Sequence, residues 1–162
     1  MDGLLFALTL YSALASGLVA GIFFGFSTFI MGALARIPAP QGIAAMQSIN
    51  IVVINPLFLT AFMGTGLTCL LLAIASLLRW HRPGSGYLLT GAVLYIVGTI
   101  VVTFLFNIPL NNALANVDPA STEGARVWAD YVVRWTNWNT VRTIAPLAAA
   151  ALLTMALWHQ RS

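Results

Sequence analysis

One short stretch holds most of the aromatic and polar side chains suited to chemistry. It covers residues 127–142 and reads VWADYVVRWTNWNTVR. A helix advances about 100° per residue, so side chains spaced three or four residues apart share one face. The face predicted in this way carries Trp128, Tyr131, Trp135, Asn139 and Arg142, with Trp138 at its edge.

These residue types suit the binding of a flat, partly polar molecule. Aromatic rings stack on such a molecule, while amide and guanidinium groups bind its oxygens and stabilise an enolate-like oxyanion. The competing interpretation is an interfacial belt, where Trp and Tyr concentrate in membrane proteins. Asn139 and Arg142 favour a site because they lead into an apolar helix, where a charged side chain is costly and marks a partner or a function.

Asparagines from other parts of the chain are expected to join this face. In an antiparallel bundle the connections after the first and third spans share one side, so their polar side chains converge. We therefore predict oxyanion-stabilising groups and substrate-binding groups at one end of the bundle. The alternative is a structural network in which the same side chains satisfy one another. The predicted catalytic groups are Asn107, Asn111, Asn139 and Arg142, and the predicted substrate-binding groups are Asn50, Asn55, Trp128, Tyr131, Trp135 and Trp138.

Composition places the chain in a membrane. Of its 162 residues, 60% are hydrophobic and 7% are charged, whereas soluble domains carry about 25% charged residues. Four apolar segments are long enough to cross a bilayer, which takes about 20 residues. The sequence predicts an all-α integral membrane four-helix bundle, with an amphipathic interfacial helix between spans 3 and 4. The single domain covers 1–162, with spans at about 4–34, 56–78, 87–106 and 139–158 and the interfacial helix at about 119–138.

Proline and glycine positions predict helix boundaries and contacts. Asn55 before a proline reads as a helix cap, and Asp118 before a proline reads likewise. Pro109 is expected to interrupt the third helix. Glycines recur every fourth position in the first span, which favours close packing within the bundle or between subunits of a homo-oligomer. This glycine series consists of Gly17, Gly21 and Gly25.

Charge distribution predicts orientation and excludes some partners. The short connection with Arg79 and Arg82 has no acidic residue, and Arg161 lies at the C-terminus. The positive-inside rule then favours cytoplasmic N- and C-termini, in a bacterial inner (plasma) membrane. Seven arginines against four acidic residues are too few for a nucleic-acid surface. The expected partners are membrane lipid and a hydrophobic aromatic small molecule.

The available residues do not predict a metal or a cofactor site. His81 and His159 stand at span ends beside arginines, which does not suit haem or a di-iron centre. No glycine-rich phosphate loop or Cys-x-x-Cys pair occurs. No Asp or Glu lies within a predicted span, which argues against a proton-coupled transporter.

Two longer strings resemble a known family of small membrane proteins. FNIPLNNALANVDPAS and WADYVVRWTNWNTVRT resemble the anthrone oxygenase-like family, long catalogued as a domain of unknown function, and AMQSINIVVINPLFL is similar to its second-helix entry. The resemblance implies four membrane helices. Some fungal members are associated with oxidising anthrones to anthraquinones, so it also implies a cofactor-free oxygenase. Asp118 and Asp130 are the candidate bases. The alternatives are a non-catalytic lipid or quinone binder and a structural membrane protein.

Overall fold

Five helices make up the part of the chain that the computed structural model describes, residues 3–159. All of them except the second are long and apolar enough to cross a membrane. No strand occurs within this range. The helices are α1 (Gly3–Leu34), α2 (Ala39–Val52), α3 (Pro56–Leu78), α4 (Ser85–Ala115) and α5 (Thr122–His159).

The four long helices form an antiparallel ring. α5 packs along α1 and α4, and α3 packs along the same two helices on the opposite side. Neighbouring helices run in opposite directions. On α4 and α5, for example, Gly91 lies against Leu153, whereas Asn107, later on α4, bonds to Trp135, which comes earlier on α5. This architecture confirms the predicted all-α four-helix bundle. Arg161, used in the orientation argument, lies outside the described residues.

The aromatic segment and the last span form one continuous helix. α5 has 38 residues, which at about 1.5 Å per residue gives a rod of about 57 Å. The hydrocarbon core is only about 30 Å thick, so one part of α5 projects beyond it. α5 begins at Thr122 rather than near residue 119, because Ser121 Oγ accepts the N–H of Gly124 at 2.9 Å. Asp118 instead accepts the N–H of Ala120 at 2.9 Å within the preceding turn.

The helix of the third span, α4, continues through Pro109, whereas the sequence predicted an interruption there. A proline lacks an N–H donor and crowds the carbonyl four residues earlier. Two π-helical segments, Ile96–Val101 and Thr103–Asn107, precede Pro109, and their wider turns accommodate it. The predicted cap at the start of α3 is confirmed, since Asn55 Oδ1 accepts the N–H of Phe58 at 3.0 Å.

The close helix contacts involve other glycines than those expected. A side chain at Gly17 or Gly21 would have no neighbour within 4 Å, so the prediction that these two pack within the bundle is wrong. Packing between subunits stays a prediction for them. Gly98 of α4 lies against Ala145 of α5 so closely that a Cβ atom would overlap the alanine side chain. The α4–α5 contact therefore depends on a small residue.

Two hydrophobic clusters fill the bundle, one at each end. The packing core lies toward the end that holds Gly3 and His159, and the aromatic core lies toward the α1–α2 connection. The packing core consists of Ala13, Val19, Phe23, Phe62, Cys69, Leu72, Leu88, Ala92, Tyr95, Ala149, Leu153 and Ala156. The aromatic core consists of Met31, Ile43, Met46, Leu110, Leu114, Trp128, Tyr131 and Trp135.

Candidate functional site

A layer of polar side chains separates the two cores, and Arg142 is its centre. The guanidinium donates from Nη2 to Asn139 Oδ1 at 2.8 Å and from Nη1 to Thr103 Oγ1 at 3.1 Å. Its central carbon lies 4.4 Å from the ring centroid of Phe23 and 5.2 Å from that of Trp135. Arg142 thus joins three helices. We call Ser27, Thr103, Asn107, Asn139, Arg142 and Thr143 the polar layer.

The positive charge of Arg142 has no carboxylate partner among residues 3–159. The residue is 5% exposed, and its Nε has no hydrogen-bond partner. The ion pairs of this range join Arg126 to Glu123 and Arg134 to Asp130, all of them exposed. Neutral acceptors and aromatic faces recover only part of the desolvation cost of a buried cation. The layer therefore favours an anionic oxygen placed against the guanidinium.

Asn139 fixes the layer to α1. Its Nδ2 donates to the carbonyl of Phe23 at 2.7 Å and to Ser27 Oγ at 2.8 Å. α1 widens into a π-helical segment, Phe26–Ile30, directly beyond Phe23. Such segments are frequent at functional sites because they re-aim backbone and side-chain groups. Asn139 is fully buried, and its carbonyl orients Arg142 on the same helix.

Asn107 brings α4 into the layer and retains an unused acceptor. Its Nδ2 donates to the carbonyl of Trp135 at 3.2 Å, while its Oδ1 is buried without a hydrogen-bond partner. A buried polar atom without a partner costs about 1–3 kcal/mol. Asn107 Oδ1 is therefore placed to accept a hydrogen bond from a small molecule.

The aromatic side of the site is held by Asn111. Its Oδ1 accepts from Tyr131 Oη at 2.9 Å and from Trp135 Nε1 at 2.8 Å. Tyr131 lies between Trp128 and Trp135, with ring centroids 5.7 and 6.0 Å away. Asn50 of α2 is also within hydrogen-bonding reach of Tyr131. Three roughly parallel rings thus stack along one face of α5.

The structure brings most of the predicted site residues together, and Asn55 is the exception. Asn55 uses its side chain to cap α3. Trp138 packs against the aromatic core and stacks on Phe106, with ring centroids 3.6 Å apart. Sequence reasoning did not assign Ser27, Thr103 or Thr143 to the site. A serine within an apolar span was the available signal for the first of these.

A cleft of about 360 Å³ opens beside the aromatic rings, between α4 and α5. Tyr131 forms part of its wall. The remaining lining is partly apolar and partly charged. Its lining residues are Leu110, Ala113, Arg126, Val127, Asp130, Tyr131 and Arg134.

The carboxylates lie outside the polar layer. Asp130 lines the cleft and accepts from Arg134 Nη1 at 3.0 Å, and Asp118 is an exposed turn residue. Within residues 3–159, no three His, Cys, Asp or Glu side chains come together as a metal-binding group. The site is therefore made of amides, hydroxyls, indoles and one guanidinium.

Fold and site define an integral membrane four-helix protein with a buried arginine beneath stacked aromatic rings. A family model described as anthrone oxygenase matches residues 58–152, more than half of the chain, and the chain belongs to that family. The match covers α3, α4 and the part of α5 that carries the site, and it confirms the resemblance drawn from sequence. No curated protein and no solved structure gives a significant match.

Proposed function

We propose that this protein is a membrane oxygenase for a flat phenolic molecule of the anthrone type and that it needs no resident cofactor. The observation that carries the proposal is the buried Arg142, which has no carboxylate partner among the described residues and lies beside stacked rings. Membership in the anthrone oxygenase family supports the same substrate class.

The reaction begins with loss of a proton from the methylene of the anthrone. The resulting anion is electron-rich and reacts with O₂, which forms a carbon–oxygen bond and a hydroperoxide. Loss of water from the hydroperoxide gives the second ketone. One oxygen atom of O₂ enters the product as the quinone carbonyl and the other leaves as water, so O₂ is the only oxidant required.

The polar layer has an oxyanion donor and a free acceptor for this substrate. Arg142 stabilises the anionic oxygen of the deprotonated substrate, Asn107 Oδ1 accepts from a phenol hydroxyl, and Asn139 orients Arg142. Preorganised donors of this kind contribute about 10²- to 10³-fold to a rate. Trp128 and Trp135 bind the faces of the rings. The proton leaves to solvent through the cleft, whose lining includes the Asp130 carboxylate.

The test is oxidation of an anthrone in air by the purified protein, with quinone absorbance as the readout. We expect Arg142→Met to lower the turnover about 10²- to 10³-fold and Arg142→Lys to retain part of it. Thermal unfolding of Arg142→Met should be unchanged or shifted upward, since an apolar replacement of a buried charge is often neutral or stabilising. Equal turnover by wild type and a folded Arg142→Met protein would contradict the proposal.

One observation favours a second function, a non-catalytic binder of a lipid or quinone. Within residues 3–159, neither a carboxylate nor an imidazole bonds to the polar layer, so the layer has no base of its own. A binder would retain an aromatic molecule through purification without converting anthrones. Mass spectrometry of the co-purifying material, beside the turnover assay, separates the two functions.

We also propose that both termini face the cytoplasm of a bacterial inner membrane. Arg79 and Arg82 lie in the short α3–α4 connection at the same end as the termini, and such charges favour the cytoplasmic side. An impermeant thiol reagent applied to cells should label Ala120→Cys but not Gly86→Cys. The opposite pattern would overturn the orientation.

A further inference from the structure

The cleft between α4 and α5 shares one side chain with the aromatic core. Tyr131 lines the cleft and is 1% exposed. Trp135 lies one helical turn farther along α5, and its ring is in contact distance of Arg142. The rings of Tyr131 and Trp135 therefore lie between the cleft and Arg142.

The unpaired charge on this path favours an anion. Two arginines line the cleft, and each is paired with a carboxylate, Arg126 with Glu123 and Arg134 with Asp130, so the rim has no excess charge. Arg142 lies beyond Tyr131 and Trp135 with no carboxylate partner in the described range. A buried cation without a counter-ion attracts an anionic group more strongly than a paired surface charge does, because the interior screens it less.

We propose that this cleft is the entrance of the site and that it selects flat aromatic molecules that carry an anionic oxygen, a carboxylate or an ionised phenol. Tyr131 moves aside when such a molecule enters, and Asn111 then keeps its bond to Trp135. This inference rests on the proposed function, since it names the route and charge of the same substrate. The volume of about 360 Å³ lies within the range of about 300–1,000 Å³ for small-molecule sites.

A second groove provides the competing route. It has a volume of about 430 Å³ and opens at the α2–α3 corner. Its wall has no charged residue, and the one amide in it, Asn55, is engaged as a helix cap. None of its residues belongs to the polar layer. Its lining residues are Ser48, Ile49, Val52, Val53 and Asn55.

The experiment compares two obstructed variants. Protein in lipid nanodiscs is titrated with a hydroxyanthraquinone carboxylate and with the same molecule without its carboxylate, and quenching of tryptophan fluorescence is followed. Ala113→Phe narrows the cleft and Ser48→Phe narrows the groove, and both positions are exposed. We expect Ala113→Phe to raise the Kd of the carboxylate about tenfold or more, as for a filled pocket, and Ser48→Phe to leave it unchanged.

A charge variant tests the selectivity without steric change. Arg134→Gln should weaken binding of the carboxylate about threefold to fivefold, as expected for an exposed charge, and should not change binding of the neutral molecule. Arg82→Gln, at the other end of the bundle, is the matched control. Circular dichroism of each variant confirms that it is folded.

The outcomes separate this inference from the proposed function. Weaker binding by Ser48→Phe alone would overturn the entrance. An equal effect of Arg134→Gln on both molecules would overturn the selectivity for anions. If no variant changes binding while anthrone turnover persists, the entrance is wrong and the oxygenase function stands. If wild type binds neither molecule, the inference falls, and turnover alone decides the function.

Discussion

The two ends of this bundle are built on different principles. The packing core is mostly alanine and leucine with three aromatic rings, and the hydroxyl of its one tyrosine, Tyr95, donates to the carbonyl of Phe62 at 2.9 Å. The aromatic core contains two tryptophans, a tyrosine and two methionines, and the polar layer lies beneath it. Of the described buried polar atoms without a partner, all but Ser16 Oγ belong to Thr99, Asn107, Thr136 and Arg142.

This difference separates stability from function. Small residues let the helices approach closely and make dense contacts, which stabilise the bundle without specific chemistry. A buried cation and unused acceptors cost free energy instead. The helices also deviate from α-geometry at the same level, with π-helical turns in α1 and α4 facing Asn139 and Arg142. Asn107 Oδ1 and Arg142 Nε of the polar layer carry such costs, which supports the ligand site proposed there.

The largest expected effect on stability comes from the packing core. Leu153 is fully buried among residues of α3, α4 and α5. We expect Leu153→Ala to lower the free energy of unfolding by about 2–5 kcal/mol, the range for leucine truncation in a dense core. The folded fraction should retain the wild-type turnover. Thermal unfolding in detergent and anthrone oxidation below the transition measure the two quantities.

Leu147 on the same helix is the control for this variant. It is 60% exposed, so Leu147→Ala removes the same atoms without leaving a cavity. A loss of turnover in folded Leu153→Ala would show that the packing core and the site are not separable.

A smaller effect is expected at a glycine behind the aromatic rings. A Cβ atom at Gly42 of α2 would lie 2.8 Å from the carbonyl oxygen of Leu34 and 2.9 Å from Cζ2 of Trp128. Gly42→Ala therefore has to displace the indole or α2, at a cost of about 1–3 kcal/mol as for overpacking. Because Trp128 is one of the proposed ring-binding residues, we expect weaker binding of the aromatic probe as well.

Gly32 provides the matched substitution. It is helical and exposed, and a Cβ atom there has no neighbour within 4 Å. Gly32→Ala should be neutral or stabilising by up to about 1 kcal/mol, the difference in helix propensity. If both alanine variants behave alike, Gly42 does not position Trp128.

The sequence contained enough information for the fold because hydropathy acts over whole segments. Four apolar runs, the Asn55 cap and the short connections predicted the bundle, and spacing by three and four placed Trp128 and Arg142 on one face. Helix continuity was harder to predict. Pro109 is expected to break an ordinary α-helix, yet α4 continues through it with π-helical turns on its N-terminal side. Such turns depend on packing, which leaves no local pattern in the sequence.

The site was predictable in its residue types and less so in its contacts. Asn139 and Arg142 were recognisable because polar groups inside an apolar helix need partners. Their actual partners, Phe23 carbonyl and Thr103, come from helices distant in sequence and depend on the register between helices. Trp138 stacks on Phe106 of α4, a contact that the pattern of α5 alone does not predict.

The smallest effect is expected at Asn55, which sequence reasoning assigned to substrate binding. Its Oδ1 accepts the N–H of Phe58 and its Nδ2 donates to the carbonyl of Val52 at 3.0 Å. Asn55→Ala should therefore cost about 0.5–2 kcal/mol, the range for loss of a helix cap, and Asn55→Ser should recover most of it because serine also caps. Neither variant should change the turnover or the Kd of the aromatic probe. If Asn55→Ser unfolds like wild type but binds the probe more weakly, Asn55 contacts the ligand after all, and the α2–α3 corner becomes part of the site.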